Sequence, residues 1–386
     1  MILASIIIFW IAAFMIFWAN IGYPISILLL DKIFHKKEKY QKNYEPSVTI
    51  MIVAHNEEKV IKEKLENVLS LDYPKKKTSI LVTSDNSTDK TNKIVKDFIN
   101  KHPDRNIRLY EVKQRKGKTN AQNEAAKLVN DEILVMTDAN AMLDKKCIKE
   151  LVKSFTKNVA YASGVLVYIN EKASSTSNTE KVYWDLDTRI RQIESNFQTI
   201  TAGNGALYAI KTKEYHDFDP IMCHDSAMPV YYSLQGKRAL SNNRALAYEK
   251  AGEKNRDEFK RKVRMSRIVL RFILPSTKIL NIFKYRWFTY FYLGHRTSRY
   301  LLWLNHILLL IANVILANVN AFFLFSMIGQ ITLYMLSILQ LCLKTKSKAL
   351  TFISYYFMTI AAQFIGVIKT LLRRDKPFWE KAESTR

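Results

Sequence analysis

The chain has 386 residues, enough for one large domain with additional segments, and 59 Lys and Arg against 35 Asp and Glu leave a formal charge of +24. The lysines are scattered and no DNA- or RNA-binding module is recognisable, so nucleic acid is not an expected partner, and the positive field suits anionic lipid or an acidic small substrate. Cys147, Cys223 and Cys342 lie far apart without metal-type spacing, which argues against a zinc site and for a domain in a reducing compartment.

Residues 2–30 contain no charged side chain. A bilayer-crossing helix needs roughly 20 apolar residues, so this stretch spans once and not twice. It has no basic leading region, which favours an uncleaved anchor over a secretory signal. Lys32, Lys36, Lys37, Lys39 and Lys42 follow at once. Basic residues beside a span stay in the cytoplasm, so the N-terminus faces out and the following chain faces in.

Residues 45–265 contain no apolar run of spanning length and are expected to form the cytoplasmic domain. Four times a β-rich apolar run breaks into a polar loop and then into helical periodicity, starting near Val48, Ile80, Ile107 and Ile133. That alternation predicts an α/β fold, a mostly parallel sheet covered by helices. Ligands of such sheets sit beyond the carboxyl ends of the strands.

The polar clusters fall at those ends: "AHNEE" (54–58), "TSDNSTDKT" (83–91), "KQRKGKTNAQN" (113–123) and "TDAN" (137–140). Asn56, Ser87 or Thr88 could each be a helix N-cap and nothing more. Gly117 lies between basic residues, but the spacing is not that of a phosphate-binding P-loop. The informative feature is the recurrence of such clusters at successive strand ends.

Beyond the domain, residues 266–300 alternate apolar, aromatic and basic side chains, as interfacial amphipathic helices do. Residues 301–343 read as a transmembrane hairpin with an uncharged tip near Asn318 and Asn320, and "KTKSK" (344–348) returns the chain to the cytoplasm. Residues 349–372 are long enough to cross again. Crossing would put Arg373, Arg374 and Lys376 outside, against the positive-inside tendency, so a further span and a re-entrant helix both stay open. The expected location is the cell membrane, multi-pass, with the 45–265 domain cytoplasmic.

In order, "TIMIVAHNEE", "LVTSDNSTDKT", "RKGKTNAQN", "VMTDANAML", "VYWDLDTRIRQIES", "GNGALYAIK", "HDSAMP" and "EFKRKVRMSR" resemble the family 2 glycosyltransferases, whose domain is a Rossmann-like GT-A fold. The resemblance covers about 48–267 and implies a nucleotide-diphospho-sugar donor, UDP-linked in the first instance. It places Asp85 on the base and ribose side, Asn56 and Glu57 beside the nucleoside, and Lys118 near the nucleotide. Asp138 matches the first acid of the family's Asp-x-Asp, which holds Mg²⁺ or Mn²⁺ against the diphosphate. Here the second acid is Asn140, an oxygen donor without charge.

The same resemblance assigns Asp225 as the base that deprotonates the acceptor hydroxyl, giving a single displacement with inversion. His224, where the family has an acid, is a candidate extra metal ligand, with a structural role as the alternative. Gly203, Asn204 and Gly205 form the acceptor loop. Trp184 is placed for stacking on a sugar or for packing, and Arg261 and Arg264 for clamping the diphosphate. Polymerising relatives often carry Gln-x-x-Arg-Trp where this chain has Met265, which favours the addition of one or a few sugars. The expected acceptor is a lipid-linked or other glycan at the cytoplasmic membrane face, in polysaccharide or cell-surface glycan synthesis. A processive synthase and a catalytically inactive scaffold are the alternatives.

Overall fold

The computed structural model describes residues 1–169, 175–250, 255–343, 345 and 347–374; for 175–184 and 255 it describes the backbone alone. Among the described residues eight strands form one sheet: β1 (Val48–Ala54), β2 (Thr78–Ser84), β3 (Asn106–Glu111), β4 (Ile133–Asp138), β5 (Met142–Leu143), β6 (Val159–Tyr168), β7 (Leu207–Lys211) and β8 (Arg238–Glu249). Their spatial order is β3-β2-β1-β4-β7-β6-β8-β5. The first four pair in parallel, β7 is antiparallel between β4 and β6, and β6 pairs in parallel with β8.

β1 and β2 are buried along their whole length, because helices cover both faces of a parallel sheet. Successive side chains therefore feed two cores. Ile50, Ile52, Val82 and Val135 enter one, while Met51, Leu81, Leu134 and Met136 enter the other. The register keeps the carboxyl ends level: Ala54 lies opposite Ser84, Val53 opposite Asp138, and Ser84 opposite Glu111. The polar loops thus open on one edge.

Among the described residues, three helices are long and apolar enough to cross a membrane: Ile2–Phe34, Ala321–Leu343 and Lys348–Leu371. Leu302–Leu316, the first arm of the hairpin, has 15 residues and meets Trp287–Tyr300 at a bend of 60°, which makes that pair a fourth candidate. Ile2–Phe34 runs opposite to Leu302–Leu316, with Phe9 beside Leu316 and Phe323 and with Ala19 beside Leu302. Polar contacts join the arms, with Asn313 to Gln330 at 3.0 Å, Gln330 to the His306 carbonyl at 3.0 Å and His306 to Tyr334 at 3.1 Å, and His306 also reaches Tyr356 of Lys348–Leu371 at 3.0 Å. Such contacts hold helices together where no hydrophobic effect drives their association.

Lys348–Leu371 follows a different path. Thr351 lies by Gln340 (3.2 Å), at the end of the hairpin away from the Asn318–Asn320 tip. Further along, Tyr355 meets Glu258 (3.4 Å), Gln363 meets the Arg299 carbonyl (3.3 Å), and the Thr370 hydroxyl donates to the Arg267 carbonyl (3.0 Å). Gly366 marks a close approach, since a Cβ there would come within 2.5 Å of the Ser266 side chain. Short helices such as Val269–Ile273, Ile282–Tyr285 and Trp287–Phe291 occupy 266–300, and Phe283 is 92% exposed among them.

Candidate active site

Asn56 turns the chain at the end of β1 in the left-handed region (φ 53°), a conformation asparagine tolerates because its short amide satisfies nearby backbone. Its Oδ1 accepts from the Thr88 amide (2.8 Å), and its own N–H donates to the Ser87 hydroxyl (3.2 Å). The buried Glu57 donates its backbone N–H to the Thr91 hydroxyl (2.8 Å). The loops after β1 and β2 are thereby tied into one unit.

Asp85 is buried, and its carboxylate oxygens accept the backbone amides of Lys116 (3.2 Å) and Gly117 (3.0 Å). Gly117 has φ 95°, which a side chain would strain. This grip starts the helix Lys118–Ala126 and aims Lys118 across the sheet edge. The Lys118 ammonium lies 2.5 Å from Asp138 Oδ1 and 3.1 Å from the Gly205 carbonyl. A Cβ on Gly205 would stand 3.6 Å from that ammonium and 3.7 Å from an Asp225 carboxylate oxygen. Three acids from separate loops thus gather around one segment: Asp85 holds Gly117, and Asp138 and Asp225 flank Lys118.

The electrostatics follow from that crowding. Burial works against the Lys118 charge, but the ion pair and hydrogen bond with Asp138, and then Asp225, hold its pKa above the ordinary lysine value. Burial raises the pKa of Asp225, the second residue of the helix His224–Leu234, although Lys118 and Arg296 pull it down. A carboxylate raised in this way is a stronger proton acceptor than one in water.

Two groups missed by sequence reasoning hold the Asp138-Ala139-Asn140 turn. The fully buried Lys64, from the helix Ile61–Leu69, donates to the Thr137 hydroxyl (2.9 Å) and to the Ala141 carbonyl, pinning the turn at both ends. Glu249, at the end of β8, accepts from the Asn140 amide nitrogen at 2.5 Å. A carboxylate 109 residues away in sequence thus lies beside Asn140. Asp138, Asn140 and Glu249 are hard oxygen donors, which fit Mg²⁺ or Mn²⁺. Among the described residues no group of three or more His, Cys, Asp or Glu is placed to hold a metal ion, so a cation here would also need Asn140 and oxygens from its substrate and water.

His224 points elsewhere. It is buried, with Nδ1 2.7 Å from Gln122 Oε1 and Nε2 3.0 Å from Asn123 Oδ1 and 3.2 Å from the Tyr215 hydroxyl. Burial first, then Lys118 and His216, lower its pKa to about 3. With both nitrogens engaged, it packs the helix His224–Leu234 onto Lys118–Ala126 and is not turned towards Asp138.

In the Gly203-Asn204-Gly205 loop, Asn204 Oδ1 accepts from the Ala206 amide (2.9 Å) and its N–H donates to the Ser163 hydroxyl (2.9 Å), so this residue shapes the turn. Gly203 is required by space, since a Cβ would lie 1.9 Å from the Tyr161 hydroxyl. Arg261 forms a fork with the buried Glu258 at 2.7 and 2.8 Å. Arg264 faces the site: burial, with Arg261 and Arg267 beside it, lowers its pKa to about 10, and Cys223 and Asp138 oppose that shift. Arg267, the last residue of the same basic stretch, is buried and acts on Cys223. Trp184 falls on the backbone-only stretch, and its side chain lies outside the described residues, as does Lys376.

Residues 49–212 match the profile of "Glycosyl transferase family 2". A poly-beta-1,6-N-acetyl-D-glucosamine synthase of Staphylococcus epidermidis is 27% identical over 151 residues, 39% of this chain and 34% of that protein. A beta-monoglucosyldiacylglycerol synthase of Synechocystis is 31% identical over 163 residues, 42% of this chain and 33% of that protein. The chain thus matches about a third of the length of these curated relatives. Over nearly its whole length it is similar in fold to a solved mannosyltransferase of Pyrobaculum calidifontis in complex with GDP-Man and Mn²⁺, with TM-score 0.69, 23% identity and coverage of 95% of this chain and 100% of the other.

Proposed function

The chain belongs to glycosyltransferase family 2 and has the GT-A fold, and on that premise we propose that it moves a sugar from a nucleotide-diphospho-sugar to a lipid-linked or glycan acceptor at the cytoplasmic membrane face, with inversion. The observation that carries this reading is the placement of Lys118 between Asp138 and Asp225. One acid is on the donor side, the other is on the acceptor side, and a cation for phosphate stands between them.

Asn56, Glu57 and Asp85 border the nucleoside end of the edge, and Lys118 with Arg264 faces the diphosphate. Asp138 and Asn140, backed by Glu249, would hold Mg²⁺ or Mn²⁺, which when bound neutralises charge on the departing nucleoside diphosphate. Asp225 accepts the proton of the acceptor hydroxyl as that oxygen attacks the anomeric carbon from the face opposite the diphosphate. Such general-base help is worth about 10² to 10⁴ in rate. Gly203 and Gly205 keep the floor beside Asp225 free of side chains, so an acceptor ring can approach.

The membrane segments support a lipid-associated acceptor. Ile2–Phe34 and the hairpin form a bundle whose inner end adjoins the interfacial segment, and that segment adjoins the acceptor side of the site through Arg296. Purified protein offered UDP-, GDP- and dTDP-sugars with Mg²⁺ or Mn²⁺ should release nucleoside diphosphate from one of them. A product one or a few sugars long fits this proposal, whereas a ladder of long products would make the protein a processive synthase. Release from none of the donors, with all of them failing to bind, would overturn the proposal.

A further inference from the structure

A second ionic cluster is buried between the helix Ser175–Phe197, the N-terminal helix and the interfacial segment. Asp187, Arg191, Glu194 and His295 are 3%, 9%, 0% and 1% exposed. Asp187 Oδ1 accepts from Arg299 at 2.7 Å and faces His295 Nε2 at 3.0 Å, while Glu194 Oε1 accepts from the Tyr23 hydroxyl at 2.6 Å and faces His295 Nδ1 at 2.7 Å. Arg191 connects this cluster to the site. One arm of its guanidinium lies 2.6 Å from Asp187 Oδ2, and the other donates to the Gly203 carbonyl at 2.6 Å. The Gly203 amide in turn donates to the Asp225 carbonyl at 2.7 Å.

We infer that Arg191 is a positioning residue for the base: it fixes Gly203, through Gly203 the backbone of Asp225, and it is itself fixed by Asp187, one turn earlier on the same helix, which His295 and Arg299 of the interfacial segment hold in turn. The inference rests on Asp225 being the base, as proposed above. The chemistry favours arginine. A guanidinium presents a planar fork that holds a carboxylate and a carbonyl together, whereas an ammonium is a point charge. Apolar residues of similar volume can replace buried ion pairs without loss of stability, so this cluster is better explained by placement than by stability. The loop has little other freedom, because Tyr161 fills the space over Gly203. Tyr23, His295 and Arg299 thereby join the membrane anchor and interfacial helices to the acceptor loop, so both move as one body.

The test uses the full-length protein in phosphatidylglycerol vesicles containing diacylglycerol or polyprenyl phosphate. It follows nucleoside diphosphate release from UDP-N-acetylglucosamine or GDP-mannose, and binding of UDP and GDP with Mn²⁺ by calorimetry. Arg191→Met is expected to lower kcat about 10²-fold, the size of effect a misplaced reacting group produces. The affinity for the diphosphate should stay within about threefold, since Arg191 holds Asp187 and the Gly203 carbonyl and a threefold change is under 1 kcal/mol. Arg191→Lys should recover part of the loss, and adding Arg191→Met to Asp225→Asn should change little, because residues acting as a unit are non-additive. If Arg191→Met fails to fold, Arg191→Lys and Asp187→Asn carry the same comparison. Wild-type kcat in Arg191→Met, or an equal fall in kcat and diphosphate affinity, overturns the inference alone, provided Asp225→Asn is inactive. Wild-type turnover in Asp225→Asn overturns the base assignment and this inference with it.

Discussion

Lys118 and Asp138 form an ion pair 2.5 Å long at the mouth of the site, each side chain 24% exposed. The ammonium is bonded to an oxygen that, in the proposed site, a divalent cation would take, so the two would compete for Asp138. Lys118→Gln should therefore act in opposite directions on two measurements. Mn²⁺ binding without nucleotide should strengthen, because Asp138 loses its competitor. Nucleoside diphosphate binding in saturating Mn²⁺ should weaken by about tenfold or more, the loss of one charge-assisted hydrogen bond of roughly 1.5–3 kcal/mol. Calorimetry reads both, and a parallel change would show that the pair is only structural.

Asp225→Asn should abolish transfer, with a fall of about 10² to 10⁴ in kcat, and leave diphosphate binding nearly intact. It should also stabilise the fold. Burial raises the native pKa of Asp225 above its unfolded value, so ionisation costs the folded state more than the unfolded one. That penalty is absent below the unfolded pKa, grows as pH rises from there, and is complete above the native pKa. The gain in Tm of Asp225→Asn should be present at neutral pH and vanish in acid. Equal Tm values at neutral pH would count against a desolvated base.

The strand-end clusters are legible because a polar run after a buried strand has nowhere to go but the loop edge, and register then levels Ala54, Ser84 and Asp138. Other partners cannot be read that way. Lys64 sits in "IKEKLE", where alternating charges suggest an exposed helix face, yet it is turned under the Asp138 turn. Glu249 meets Asn140 only because the long strand β8 continues beyond a register shift beside β6. His224 resembles a ligand by standing next to Asp225, but adjacent residues on a helix face different ways, and here His224 meets Gln122 and Asn123. Arg191 lies within "VYWDLDTRIRQIES", where nothing in the local pattern points to the Gly203 carbonyl.

The Asn140–Glu249 contact predicts the outcome of restoring the second acid. Asn140→Asp would place a carboxylate against Glu249, and like charges so close cannot both ionise at no cost. Without metal the variant should lose stability at neutral pH, measured as a lower Tm. Saturating Mn²⁺ with UDP or GDP should restore it by neutralising both acids, with tighter Mn²⁺ binding than in the wild type. Glu249→Gln should weaken Mn²⁺ binding in the otherwise unchanged chain. If Glu249→Gln and wild type bind Mn²⁺ alike, Glu249 supports the turn and not the cation.

Lys348–Leu371 is long enough to cross a bilayer, but from its contacts we expect it to lie along the cytoplasmic face. Its first turns adjoin Gln340 at the hairpin's inner end, and its last adjoins the Arg267 carbonyl at the edge of the catalytic domain. Tyr355, Gly366 and Thr370 contact Glu258, Ser266 and Arg267 in turn, so the helix runs beside a charged segment that belongs in water. This path also keeps Arg373 and Arg374 inside, as the positive-inside tendency requires. Single cysteines at Asn318 and Arg374, introduced into a chain whose own cysteines are replaced by serine, should distinguish the two arrangements. In intact cells a membrane-impermeant maleimide should label the Asn318→Cys protein and spare Arg374→Cys, which reacts only after permeabilisation. Labelling of Arg374→Cys from outside would make the helix a further crossing and would force Thr370 away from Arg267.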